Sequence, residues 1–304
     1  MALASPSPFH PGERAVQERA GEVALADRVG GGIGELVPAA AADFLAEREM
    51  VVVAARAPGG QVWVTLLTGP EGFADAPDEG TVVVHAVPAE GDPLRAVLAP
   101  GTRTQVGLLA VDPATRRRMR VNGVAAATAE GLTIVTMQVF ANCPKYIRPR
   151  RVVARRPDDP ASAGPAARSG ATLTAAQRAW VSGADTFFVG TADVDGSADA
   201  SHRGGAAGFV HVVGDDRLRI PDYRGNSMYM TLGNLERQPA VGLLFVDWEG
   251  GSTLQLTGEV TIDYDLAAAR ALDPRARRVL DVTVTEVVEL PGRSPLSWAP
   301  VDDA

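Results

Sequence analysis

Val106-Gly107-Leu108-Leu109-Ala110-Val111-Asp112 is met again as Val241-Gly242-Leu243-Leu244-Phe245-Val246-Asp247, 135 residues later and with a single change. Working outward, Gly69-Pro70-Glu71-Gly72-Phe73 returns as Gly205-Ala206-Ala207-Gly208-Phe209 at an offset of 136. Gly123-Val124 returns as Gly258, two residues before Val260, at 135 again. Chance does not hold one register across three motifs, so the chain carries an internal duplication of a β-rich unit over roughly 50 to 141 and 186 to 290. Two copies in one chain form an intramolecular pseudo-dimer, and the cleft where they meet is where pockets are favoured.

The runs around the repeats say what the unit is. Short β-branched stretches at 50–54, 61–68, 81–87, 104–111 and 132–140, punctuated by Gly and Pro, read as a sheet closing into a small barrel. Before them, apolar residues recur on a helical rhythm over 12–28 (Ala15, Val16, Ala20, Val23, Ala24) and 39–48. Between the copies, RRPDDPASAGPAARSGA holds three prolines, two glycines and almost no large apolar residue, the composition of a linker. After it, Thr174-Ala175-Ala176-Gln177 is a capping box opening a helix to about Val181. The expected organisation is an N-terminal helical segment over 1–49 covering one side, a first split barrel over 50–154, a linker over 155–171 and a second split barrel over 172–304.

Composition narrows the function. A hydrophobic share of 46% with 22% charged residues is that of a globular chain, and a net charge of −8 argues against nucleic acid or an anionic membrane as partner. The single Cys cannot close an internal disulfide. With no signal peptide and no apolar run of about 18 residues, the expectation is a cytoplasmic protein.

A duplication is most informative where its halves disagree, since shared residues make the fold and unshared ones are free to make a site. Copy two has Ser201-His202-Arg203-Gly204-Gly205 where copy one has Leu66-Leu67-Thr68, and Pro221-Asp222-Tyr223-Arg224-Gly225-Asn226-Ser227-Met228 where copy one has Val87-Pro88-Ala89-Glu90. Copy one ends in Asn142-Cys143-Pro144-Lys145-Tyr146-Ile147, which contains the only lysine and the only cysteine of the chain. The equipment is complementary, so one composite site is expected rather than two. Its chemistry points to a phosphate: Asn226 or Ser227 as N-cap of a helix with Thr231 one turn on, Arg203 beside two glycines, and a compact lysine ammonium suited to a half-buried anion. The plainer readings are a helix cap, a hairpin arginine in solvent and an ordinary surface lysine.

Other features carry less. Gly30-Gly31-Gly32-Ile33-Gly34 follows a helix and lacks the spaced third glycine of a dinucleotide fingerprint. His10, His85, His202 and His211 are too scattered for a metal site. Arg148, Arg150, Arg151, Arg155 and Arg156 read as a solvated basic run. Cys143 reads equally as a small buried filler or a reactive thiol. No catalytic acid, base or nucleophile is legible.

Phe9-His10-Pro11-Gly12-Glu13-Arg14, Leu67-Thr68-Gly69-Pro70 with Gly72-Phe73, the Asn142–Ile147 and Ser201–Gly205 segments, and Thr231-Leu232-Gly233-Asn234-Leu235 together resemble flavin-binding proteins of the pyridoxamine 5′-phosphate oxidase-like group with tandem split barrels. The resemblance implies FMN at the interface between barrels, its phosphate held by Arg, Lys, Ser and Thr. It implies cofactor contacts from Asn142, Cys143, Lys145 and Tyr146 of the first copy. From the second copy it implies Ser201, His202, Arg203, Gly204, Tyr223, Asn226, Ser227, Met228 and Thr231. The vitamin B6 oxidase activity does not carry over, because the residues that would hold that substrate's phosphate have no match.

The expected function is an FMN-dependent oxidoreductase of a small planar molecule, exchanging hydride at flavin N5, with electrons from an external donor or from the substrate itself. A non-catalytic flavin carrier or sensor, a cofactor-free binding scaffold and a deazaflavin F420-dependent reductase are the alternatives. A homodimer is left open.

Overall fold

The computed structural model describes residues 7–141, 144–156 and 165–301. The chain opens with α1 (Pro11–Ala20), α2 (Val23–Gly30) and α3 (Ala39–Ala46). A capping box starts α1: the His10 ring accepts the Gly12 N–H at 3.1 Å, and the Glu13 carboxylate accepts the His10 N–H at 2.8 Å.

The first barrel comprises β1 (Met50–Arg56), β2 (Val62–Thr68), β3 (Ala74–Asp78), β4 (Thr81–Val84), the short helix α4 (Leu94–Val97), β5 (Arg103–Asp112), β6 (Arg117–Ala127) and β7 (Leu132–Ala141). There follow β8 (Arg150–Arg155), β9 (Arg168–Gly170) and α5 (Ala175–Gly183), the last opened by the Thr174–Gln177 capping box the sequence spells. The second barrel holds β10 (Thr186–Ala192), β11 (Ala198–Gly204), β12 (His211–Val212), β13 (Arg217–Tyr223), α6 (Met230–Arg237), β14 (Ala240–Val246), β15 (Thr253–Asp263), α7 (Leu266–Leu272) and β16 (Ala276–Leu290), with β17 (Leu296–Pro300) closing the chain.

Strand order proves the duplication. The first sheet runs β2-β1-β5-β6-β7-β4-β3 and the second β11-β10-β14-β15-β16-β13-β12, the same order strand for strand and antiparallel throughout. Even the irregularities repeat: the ladder shifts register at Asn122/Gly123 between β6 and β7, and at Thr257/Gly258 between β15 and β16.

The alternation of strand side chains explains how two barrels become one body. On β1, Val51 and Val53 point into the first barrel's core, while Val52 and Ala54 point at the second barrel. On β10, Phe187 and Val189 enter the second core and Phe188 faces back. Both strands are buried on both faces, and each buried Val, Leu or Phe side chain contributes roughly 1.5–3 kcal/mol. Close approach is permitted by Gly107, where a Cβ would strike the backbone of Asp199 and Ala200, and by its counterpart Gly242, where one would strike Val62. The contact is therefore reciprocal, as a pseudo-two-fold requires.

Helix α1 covers the second barrel, while α3 packs Phe44 and Leu45 into the core of the first. Val16 of α1 joins the core around Leu232 and Leu235, and Phe9, Ala26, Phe140, Met228 and Met230 form a small cluster where the N-terminal segment, β7 and α6 meet. The basic run around 148–156 is only partly solvated: Arg148, Arg151 and Arg156 are exposed, as the sequence suggested, while other members are tied down. Arg150 pairs with Asp185 at 2.6 Å and stacks on Trp248, Arg155 pairs with Glu49 at 2.7 Å, and Arg148 donates to the Gly205 carbonyl at 2.8 Å. Strand β8, which carries it, pairs with β17. Among the described residues no helix is long and apolar enough to cross a membrane.

Candidate functional site

A cavity opens where the edge of the second sheet meets the first barrel. Strand β11 supplies Ser201, His202, Arg203 and Gly204; β13 supplies Asp222 and Tyr223; the turn after it supplies Asn226, Ser227, Met228 and Tyr229, and α6 supplies Met230, Thr231 and Leu232. The first barrel contributes Arg118 and Arg120 from β6, and the segment after β7 contributes Lys145 and Tyr146. All the candidate residues named from the sequence that are described line this one cavity; Asn142 and Cys143 lie outside the described residues.

The local geometry differs from expectation in two places. Helix α6 starts at Met230 with Tyr229 before it, not at Asn226 or Ser227. Asn226 spends its Oδ1 on the Met228 N–H at 3.2 Å, and Ser227 and Tyr229 take left-handed φ of 65° and 62°, which holds 227–229 out of the helix. No side chain caps α6, and its first residues, Met230, Thr231 and Leu232, line the cavity. Second, Lys145 stands exposed at the mouth and is not half-buried.

Hydrogen bonding sorts the lining. Arg120 places Nη1 3.0 Å from Asp199 Oδ1, and its Nη2 donates to the Ser201 hydroxyl. Ser227 donates its hydroxyl proton to Glu22 at 2.5 Å, so that proton is committed within the protein. Tyr146 and Tyr223 likewise donate to the Arg224 carbonyl (3.1 Å) and to Asp273 (2.8 Å). Thr231, 4% exposed as a residue, lines the cavity wall beside them. Arg203 donates to the His202 carbonyl at 3.2 Å, and among the described residues no carboxylate lies within ion-pair distance of it.

Charge follows from these neighbours. Burial pushes the Asp222 carboxyl up while Arg203 and Arg278 oppose it, and Arg278 pairs with it at 3.2 Å. His202 is 5% exposed; burial, reinforced by Arg118, Arg203, Arg150 and Arg120, holds its imidazole well below the ordinary range, so the ring is neutral. Its Nδ1 is buried without a partner, the kind of group a ligand completes. Tyr146 and Tyr223 lie 5.3 Å apart centre to centre, with Phe209 stacked 6.5 Å beyond Tyr223, an aromatic wall suited to a planar ring.

These features test the fit of a flavin mononucleotide. Cations, uncapped helix N–H groups and the Thr231 hydroxyl match a phosphate. Gly204 fits close packing, since a Cβ there would overlap the Tyr146 carbonyl. The open space is about 90 Å³, against the roughly 300–1,000 Å³ of small-ligand pockets. A phosphate fits as the side chains stand; a flavin ring needs those at the mouth to swing aside. Past the Arg120–Asp199 pair and Met230 lies a second space of about 570 Å³, lined by Glu13, Glu35, Asp193, Asp195 and Asp199 and, among the described residues, by no Lys or Arg. Among the described residues no cluster of His, Cys, Asp and Glu could hold a metal.

The pseudo-equivalent site is closed. Leu66 and Leu67 stand where His202 and Arg203 do, and Leu67 is buried in the first core. Gln255, the counterpart of Arg120 at the 135 offset, donates to Asp92 at 2.9 Å, and Thr65, the counterpart of Ser201, donates to the same carboxyl at 2.5 Å. The sequence comparison overlooked Arg118 and Arg120, and named Asp222 and Phe209 within its motifs without placing them in the site. Arg120 had a readable signal, an arginine between the core residues Met119 and Val121 at a position where the other copy has glutamine.

Fold and site define two barrels of the same strand order, with a cationic cavity at their seam among the described residues. Residues 173–294, the second barrel, match the family model described as pyridoxamine 5′-phosphate oxidase. Among solved structures, HupZ of Group A Streptococcus is 15% identical, covering 41% of this chain and 98% of its own, with a TM-score of 0.34. A putative pyridoxamine 5′-phosphate oxidase of Lactobacillus delbrueckii is 19% identical over 39% of this chain and 94% of its own, TM-score 0.33. An F420 reductase is 19% identical over 36% and 94%, TM-score 0.29. No curated protein matches the chain.

Proposed function

We propose that the chain binds FMN at the inter-barrel seam and works as an FMN-dependent oxidoreductase on a small planar molecule. The observation that carries this is the half-buried Arg203 with no carboxylate within ion-pair distance among the described residues, set beside the unpartnered Nδ1 of a neutral His202 and the uncapped start of α6. Arg203, Thr231 and the α6 N–H groups hold the phosphate, and Lys145 adds charge at the mouth. Tyr146, Tyr223 and Phe209 pack the ring and exclude water from it. Bound FMN supplies hydride exchange at its N5. Residues on the far side of Met230 leave room for a second molecule, and the Glu35 and Asp195 carboxylates there favour one that is neutral or cationic.

The test is the visible spectrum of the purified protein with mass analysis of whatever chromophore it releases, followed by FMN titration. Released FMN, or tight uptake of added FMN, supports the reading. Release of a deazaflavin moves the chain to F420-dependent reduction, flavin binding without turnover over a panel of reductants and acceptors makes it a carrier, and no uptake overturns the proposal.

A further inference from the structure

Glu22 stands at the N-cap position of α2 yet makes no capping bond to its own helix. Its carboxylate turns instead to the cavity wall. Oε2 accepts the Ser227 hydroxyl at 2.5 Å and the Tyr229 hydroxyl at 2.8 Å, and Oε1 lies 3.2 Å from Arg224 Nη2. From α1, Gln17 donates to the Met228 carbonyl at 3.0 Å. Ser227 and Tyr229 are the residues with left-handed φ on either side of Met228, a conformation disfavoured for any side chain with a Cβ. Such geometry persists only where its surroundings over-determine it. Here two hydroxyls on one carboxylate oxygen, an ion pair and a backbone hydrogen bond do so.

We propose that Glu22 is a positioning residue: from outside the cavity it sets the 224–230 turn so that the start of α6 meets the anionic group of the ligand. The proposal rests on the reading of the cavity as an anion-bearing cofactor site. Its electrostatics run opposite to its geometry, which makes it testable. As a bare negative charge near the phosphate, Glu22 weakens binding, and removing it tightens binding. As a clamp, Glu22 strengthens binding, and removing it weakens binding. Glutamine separates the two roles, because its carbonyl oxygen can accept both hydroxyls without the charge.

The experiment measures FMN and riboflavin affinity for the parent, Glu22→Ala and Glu22→Gln. The expected result is a roughly tenfold weaker Kd for FMN in Glu22→Ala, little change for riboflavin, and Glu22→Gln within about threefold of the parent. Unchanged or tighter FMN binding by Glu22→Ala overturns the proposal, as does an equal loss for both ligands, which marks a merely structural role. Should Glu22→Ala fail to fold, the double variant Ser227→Ala, Tyr229→Phe removes the same two bonds and should show the same selective loss. A parent that takes up no FMN ends the flavin reading alone. The thermal upshift given by inorganic phosphate then decides the role of Glu22: present in the parent and lost in Glu22→Ala supports it, while equal or absent in both overturns it.

Discussion

Arg120 of the first barrel and Asp199 of the second form a buried ion pair across the seam, with Nη1 3.0 and 3.2 Å from the two carboxylate oxygens and side chains 8% and 3% exposed. Losing one partner strands the other charge in a low-dielectric setting. Arg120→Ala should therefore cost about 3–5 kcal/mol in urea unfolding, and pairing Arg120→Met with Asp199→Leu should recover most of it. A single-variant loss below about 1 kcal/mol would show that water reaches the pair.

FMN titration should saturate near one equivalent per chain. The second pseudo-equivalent position is filled by Leu66 and Leu67 and tied shut by Thr65, Asp92 and Gln255. Saturation near two equivalents would mean that the closed position opens.

Arg203→Ala should lose a charge-assisted phosphate contact of roughly 1.5–3 kcal/mol, or about 10- to 150-fold in FMN affinity. Riboflavin has no phosphate and should be nearly indifferent. Parallel losses for both ligands, measured by fluorescence titration, would assign Arg203 to the fold or the ring.

Lys145 is exposed at the open mouth, so its charge is expected to matter more than its shape. Lys145→Arg should leave FMN affinity within about twofold, and Lys145→Ala should lower it by up to about fivefold, less at high salt. A large loss in Lys145→Arg would show that the ligand closes around the ammonium.

Glu13 sets a pH dependence. It is 3% exposed, and burial, with Asp199 and Asp193 nearby and the His10 N–H opposing, pushes its carboxyl up to about 8. An acid raised in the folded state gives stability that is whole below its unfolded value near 4.5 and is lost as pH rises through about 8. The decline is at most about 1.4 kcal/mol per pH unit across that window. Glu13→Gln keeps the shape without the titration, so its stability relative to the parent should climb from pH 5 to pH 8. A constant difference at the two values would refute the assignment.

The duplication was legible because it is written in core strands, where VGLLAVD and VGLLFVD must each satisfy a barrel interior and a seam. Strand β6 was not, because Arg118, Arg120 and Asn122 alternate with Met119, Val121 and Gly123, which leaves no β-branched run of the kind that marked its neighbours; Arg118 and Arg120 line the cavity. Strand β3 was hidden by its brevity and by Pro77, an edge residue that needs no ladder hydrogen bond. The candidate residues came from comparing the copies, which marks what differs but not what supports it. Glu22 lies in the helical segment before the repeat, where no second copy exists for comparison.

The closed position and the open one also bear on how such a chain can change over generations. In a dimer of identical chains, Leu67 and Arg203 would be one codon, and every substitution would be made twice, once for each seam. Joining the halves gives each seam its own codons. The chain is in effect a heterodimer that never has to find its partner, free to spend one seam on cohesion and the other on chemistry.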